Sequence, residues 1–163
     1  SPTFVVPEGV YPKVGAKISD LLDPSKKMSK SSENAAGTVF MNDDRDAIIR
    51  KFRRAVTDSE GVVRYDPEAK PGISNLLSIY TAFTGRSIAQ AEAEFAGKGY
   101  GDFKSAVAET VADCLAPVQA EQARLLSDKQ YLNSVLEEGA RRAYKVASAT
   151  LAKVYRKIGF YQL

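Results

Sequence analysis

Lys26-Lys27-Met28-Ser29-Lys30-Ser31-Ser32 is the segment of this 163-residue chain whose residue types point to phosphate chemistry. Lys27 and Lys30, three apart in a polar loop, can converge their ammonium groups on one polyphosphate. Interleaved hydroxyls and loop amides would supply hydrogen bonds around it. The G-x-x-x-x-G-K-[ST] pattern of a Walker loop is absent. On composition alone, a solvated basic loop is the plainer reading. Other chemistries are excluded by what the chain lacks. It has no histidine, so neither Ser-His-Asp catalysis nor an imidazole-ligated metal can operate. Its one cysteine, Cys114, can form neither an intrachain disulfide nor a thiolate zinc site, and is expected in the core. Asp43, Asp44 and Asp46 read as a helix start rather than a metal site.

The elements that must hold this loop are mostly helical. The first 23 residues carry Pro2, Pro7, Pro12, Gly9 and Gly15 and read as extended chain and loop, ending in the apolar stretch 18–22 before Pro24. Residues 25–42 form a polar loop. Asn42-Asp43-Asp44 caps a helix running to about Val56, and 57–72 is a connector broken by Gly61, Pro67, Pro71 and Gly72. A short apolar helix is predicted at 74–83, stopped by Gly85. Another follows at 87–95, capped by Ser87 and stopped by Gly97. A longer one is expected at 100–126, kinked or broken by Pro117, because a mid-helix proline costs about 3 kcal/mol. The last is capped by Asp128 and runs to about Ile158, ending at Gly159. The expected fold class is therefore all-α: a helical bundle preceded by a non-helical leader and the lysine loop. No apolar run approaches the roughly 20 residues of a membrane span.

The last helix is amphipathic. Leu132, Leu136, Ala140, Ala143, Ala147, Leu151, Val154 and Ile158 fall within about 100° of arc, a stripe expected to pack on the bundle. Arg141, Arg142, Lys145, Lys153, Arg156 and Lys157 occupy the other side. They read either as a solvated face or as contacts to an anionic partner such as RNA. Tyr100, Tyr131, Tyr144 and Tyr155 are expected in the core or in grooves rather than as stacking platforms.

The literal string at 27–31 is KMSKS, which resembles the second signature of class I aminoacyl-tRNA synthetases. Around it stand GAKI at 15–18, Asp23-Pro24, RAVTDS at 54–59, VVRYDPEAKPGISNLLSIYTAFTG at 62–85 and VYRKIGF at 154–160. The series resembles the C-terminal part of bacterial tryptophanyl-tRNA synthetases over nearly the whole chain, and tyrosyl-tRNA synthetases less well in the later segments. The resemblance implies that Lys27 and Lys30 stabilise charge on departing pyrophosphate, with Mg²⁺ assisting and no metal ligated by protein. Ser29 and Ser31 would bond phosphate oxygens or hold the loop's shape. Met28 would anchor the loop, and Ile18 matches a position whose backbone contacts adenine. ATP, tryptophan and tRNA(Trp) are the implied substrates. The basic faces, with Arg50, Lys51, Arg53 and Arg54 of the first helix, become candidate phosphate contacts.

Such enzymes also need a HIGH-type signature on a nucleotide-binding Rossmann-type fold, and a chain without histidine lacks it. The expectation is a C-terminal piece of a tryptophan–tRNA ligase. Residues 1–42 would be the remnant of the catalytic domain, with a leader deprived of its sheet, and 43–163 the helical anticodon-binding domain. Alone, the piece is expected to be inactive and monomeric, though able to bind tRNA. The whole enzyme would be a cytoplasmic homodimer. A stand-alone helical RNA-binding or interaction module and a tyrosyl-specific enzyme are the alternatives.

Overall fold

The computed structural model describes residues 3–11, 15, 17–32 and 34–160; the predicted breaks at Pro2 and Pro12 lie outside them. In order come a 3₁₀ turn at Ala35–Gly37 and helices α1 (Arg45–Arg54), α2 (Pro71–Thr84), α3 (Ile88–Glu94), α4 (Tyr100–Ser127) and α5 (Lys129–Ile158). The all-α expectation holds. Among the described residues the only β-type pairing is an isolated antiparallel bridge between Ser19 and Lys27. The chain divides into two compact units, one of Tyr11–Gln119 and one of Ser1–Val10 together with Ala120–Leu163.

The first unit holds the core. Helix α2 is apolar on most sides and buried along Ile73, Leu76, Leu77, Ile79 and Tyr80, as a central helix must be. Helix α3 packs against it. Ile48 and Phe52 of α1 and Phe103, Val107, Val111 and Leu115 of α4 complete the cluster. Tyr80, Phe95 and Phe103 meet edge to face, with Phe95 and Phe103 ring centroids 4.8 Å apart. That geometry suits ring quadrupoles better than a face-to-face stack.

Helix termini follow side-chain chemistry with three departures. As read, Asp44 caps α1 by accepting from the Ala47 amide, Ser87 and Gln90 form a capping box on α3, and Gly85 closes α2 in the left-handed conformation. First, α1 ends at Arg54 rather than near Val56, because the Val56 amide donates to the Leu21 carbonyl (2.8 Å). Second, α2 starts at Pro71, three residues before the predicted Ser74, since proline's fixed φ and missing donor suit the first helical position. Gly72 is required there: a Cβ would overlap the Val56 carbonyl oxygen. Third, α4 runs through Pro117 without a break. Pro117 and Asp113, whose carbonyl loses its partner to the ring, are both exposed, on a side of the helix where solvent rather than a buried neighbour can meet the freed carbonyl. Cys114, expected in the core, is exposed on the same helix.

The connector 57–70 is held by Lys70, whose side chain is 1% exposed. Its Nζ lies 3.0 Å from Asp58 Oδ1 and 2.5 Å from Glu60 Oε2, and donates to the Val62 carbonyl and the Tyr100 hydroxyl. Tyr100 in turn donates to Asp58 (2.6 Å).

In the second unit α5 begins at Asp128, which accepts from the Tyr131 amide, and ends on left-handed Gly159, both as read. The apolar stripe is present but not covered as expected: no α5 residue is buried, and Leu136, Leu151 and Ile158 are exposed. Periodicity identifies the apolar face of a helix; whether anything covers it is a separate matter. Phe4 lines a concavity of about 490 Å³ along α5 with Tyr144, Ala147, Leu151 and Tyr155, and Lys157 donates to the Thr3 hydroxyl. Val5, Val6 and Val10 of the leader stand exposed. Tyr131 and Tyr144 are exposed as well, against the expectation of core or groove for the former, while Tyr100 and Tyr155 are half-buried.

Candidate functional site

The lysine loop is the returning arm of a small hairpin. Asp23-Pro24 turns the chain: the Asp23 carboxylate accepts from the Ser25 amide and hydroxyl (3.2 and 2.5 Å) and pairs with Lys26 at 3.0 Å. The Ser25 hydroxyl, then Lys26, hold this carboxyl below its ordinary range. The arms are joined by Asp20 N–H to the Lys26 carbonyl and Met28 N–H to the Ile18 carbonyl, both 2.9 Å. Ile18 and Met28 pack against the core cluster. Extended residues alternate faces, so anchoring Met28 inward turns Lys27 outward. After Met28 the chain turns on Ser29, whose carbonyl accepts from Ser32 N–H (3.1 Å) and the Thr38 hydroxyl (3.2 Å). The Ser29 hydroxyl accepts from Ser31 N–H, so it shapes the loop.

Lys27 and Lys30 thus flank two anchored residues. Both are exposed, and among the described residues no carboxylate pairs with either. Lys26, outside the KMSKS string, is the one neutralised by a neighbour.

Three supports hold the outgoing arm, and none was singled out from the sequence. Asn75, 8% exposed on α2, accepts from Ser19 N–H (2.8 Å) and donates to the Ser19 carbonyl (2.9 Å). Both backbone groups of the residue opposite Lys27 are thereby satisfied. Leu21 is buried in the core, donating to the Gly37 carbonyl (2.9 Å) while its own carbonyl accepts from Val56. The Asp20 carboxylate accepts from Leu22 and Asp23 amides and fills the space a Cβ at Gly37 would need. A signal for Asn75 was available: a lone amide inside the apolar run of α2 must find a buried partner.

Replacing Asn75 with leucine strands the Ser19 amide and carbonyl, at about 1–3 kcal/mol for the orphaned groups. The expected result is faster hydrogen exchange at the Ser19 and Met28 amides, with α2 and α4 core amides unchanged. Uniform acceleration across the domain, or none at Ser19, would show that Asn75 does not hold the hairpin.

The basic candidates differ in setting. On α5, Arg141 and Arg142 both pair with Glu138, Lys157 bonds Thr3, and Lys145, Lys153 and Arg156 are exposed. On α1, Lys51 pairs with Asp43 at 2.6 Å, while Arg50, Arg53 and Arg54 are exposed. Asp44 and Asp43 serve the helix start, the latter accepting from the Phe40 amide. Among the described residues no group of three or more His, Cys, Asp or Glu is placed to hold a metal ion. None of the described helices is long and apolar enough to cross a membrane.

A helical domain entered through a core-anchored KMSKS hairpin belongs to a defined class of protein. Residues 1–116 match the family model of class I tRNA synthetases for tryptophan and tyrosine, and the chain belongs to that family. Its similarity lies on the tryptophan side. It is 50% identical over 160 residues to a tryptophan–tRNA ligase of Leifsonia xyli, covering 98% of this chain and 48% of that protein. It is 49% identical over 156 residues to one from Halalkalibacterium halodurans, covering 96% and 47%. The crystal structure of tryptophanyl-tRNA synthetase from Mycoplasma pneumoniae superposes with a TM-score of 0.83 at 31% identity, over 92% of this chain and 45% of that one. The chain therefore spans about half the length of the relatives it matches.

Proposed function

We propose that this chain is the half of a tryptophan–tRNA ligase that handles the departing pyrophosphate and carries the helical RNA-binding domain. The observation that carries the reading is the hairpin, which fixes Met28 and Ser29 and leaves Lys27 and Lys30 exposed without carboxylate partners. In the complete enzyme a tryptophan carboxylate oxygen forms a bond to the α-phosphorus of ATP as the bond to pyrophosphate breaks. Charge grows on the leaving oxygens, where two ammonium groups stabilise it more than in the ground state. A tRNA(Trp) ribose hydroxyl then takes the acyl group and AMP leaves. Mg²⁺ would arrive on the ATP phosphates. The Ile18 backbone would border the adenine, Met28 would anchor the loop, and Ser29 and Ser31 would hold the loop's shape or bond phosphate oxygens.

In this reading residues 1–42 complete the catalytic domain and 43–163 form the anticodon-binding domain, with the α5 cations among its tRNA contacts. The complete enzyme works as a cytoplasmic homodimer, and the chain alone is a monomer. The test is a chimera in which residues 1–163 replace the matching half of the Leifsonia xyli relative. It should catalyse tryptophan-dependent ATP–pyrophosphate exchange and charge tRNA(Trp), while the 163-residue chain alone gives no exchange. A folded chimera without exchange, or exchange by the chain alone, would refute the reading.

A further inference from the structure

Helix α1 carries a basic face outside the lysine hairpin. Arg50, Arg53 and Arg54 stand at i, i+3 and i+4, so their side chains share one face, about 180° round the helix from buried Ile48 and Phe52. With Lys51, Ala47 and Ala36 they line a concavity of about 510 Å³ that contains no acidic side chain.

Charge pairing separates this group from six of the seven other arginines; the seventh, Arg156 of α5, donates to the Ala152 carbonyl. Arg45, Arg64, Arg86, Arg124, Arg141 and Arg142 each have a carboxylate partner. Among the described residues Arg50, Arg53 and Arg54 have none, although Asp46 lies one turn before Arg50. The nearest other acids are engaged: Asp43 with Lys51 and the Phe40 amide, Asp44 with the Ala47 amide. Three guanidinium forks spread over about 6 Å of helix axis, in an open groove rather than an enclosed pocket, suit a chain of phosphates better than a single one.

We infer that the α1 groove of Arg50, Arg53 and Arg54 binds the phosphodiester backbone of RNA. The inference rests on the reading of the chain as part of a tRNA-charging enzyme and adds a contact surface to it. Guanidiniums facing phosphates fix the position of the RNA without reading its bases. Affinity should therefore be independent of the anticodon and steeply dependent on salt.

The experiment is a salt titration of the 163-residue chain against tRNA(Trp) and the same tRNA with an altered anticodon, by fluorescence anisotropy. The R50Q/R53Q/R54Q variant should bind both RNAs at least about tenfold more weakly at 0.1 M salt. Its slope of log affinity against log salt should fall by about 2–3, close to one per lost phosphate contact. A K145Q/K153Q control on α5 should leave the α1 contribution to that slope in place. Because two of the arginines sit in the last turn of α1, R50K/R53K/R54K serves as a charge-conserving second variant. It should keep the salt slope and lose affinity through the missing forks. Unchanged affinity and slope in the glutamine variant, or a loss confined to the cognate tRNA, would overturn the inference. A wild-type chain that binds no RNA at all would overturn it together with the tRNA-binding part of the proposed function. Binding that survives the substitutions would overturn the groove alone.

Discussion

In the chimera, Lys27→Ala and Lys30→Ala should each lower the rate of tryptophan-dependent ATP–pyrophosphate exchange by about 10²–10³, the usual cost of removing one donor aimed at developing charge. The split between constants matters more than the size. An ammonium that meets the pyrophosphate oxygens chiefly as charge grows on them acts in the transition state, so kcat should carry most of the loss. Lys26→Ala is the internal control. It has the same charge and is a chain neighbour of Lys27, but it is paired with Asp23 at 3.0 Å and should change the rate less than about threefold. If all three lysines behave alike, the loop attracts ATP only as a diffuse positive patch. If the loss appears in KM, the two lysines bind substrate and transition state equally.

The second large effect concerns stability. Lys70→Met should lower the melting temperature by on the order of 10 °C, since removing one partner of a buried ion pair leaves the other uncompensated. Burial opposes the charge on Lys70, but its bonds to Glu60, Tyr100 and Asp58 outweigh that and raise its pKa. Burial also opposes the Asp58 carboxylate, and donation from Tyr100 and Lys70 outweighs it, holding Asp58 down to about 2.

The sign of the pH dependence follows from that value. The folded pKa lies below the unfolded one of about 3.9, so Asp58 contributes its full stability above about pH 4. That contribution is lost as pH falls toward 2. Thermal melts between pH 5 and pH 2 should show a decline in the wild type that is much reduced in Lys70→Met, where Asp58 has lost its cation. Parallel curves for the two proteins would show that the network does not set the acid limb. Tyr100→Phe removes only one bond to Asp58 and should fall between them.

Much of the helical framework was legible because capping chemistry is local. Ser87, Asp128, Gly85 and Gly159 close or open helices through their own backbone preferences and bonds within four residues, and each does so in the structure. Departures occur where a distant partner competes. Val56 leaves α1 for the Leu21 carbonyl, 35 positions away in the chain. Pro117 is absorbed because its surroundings are wet, which depends on what lies over that side of α4. The exposed Cys114 and the uncovered stripe of α5 make the same point: residue type sets a preference for burial, and only packing decides whether it is met.

The lysine site divides in the same way. The string KMSKS and the segments around it named the family and singled out Lys27 and Lys30, because the chemistry of a phosphate loop resides in residue types at fixed spacing. Their availability is a tertiary property. It comes from Ile18 and Met28 seated on the core and from Ser19 held by Asn75 56 residues further on, while the local pairing of Asp23 with Lys26 leaves Lys27 free of it. The cations at large divide likewise: Arg141 and Arg142 meet a glutamate three and four residues back on their own helix, a pairing local spacing already offers, whereas the open groove of Arg50, Arg53 and Arg54 is closed on one side by Ala36 from the 3₁₀ turn. Local spacing determines which groups this protein can present. How they are anchored and what surrounds them depends on contacts between distant parts of the chain, such as Asn75 on Ser19 and Met28 on the core, and that only the folded structure decides.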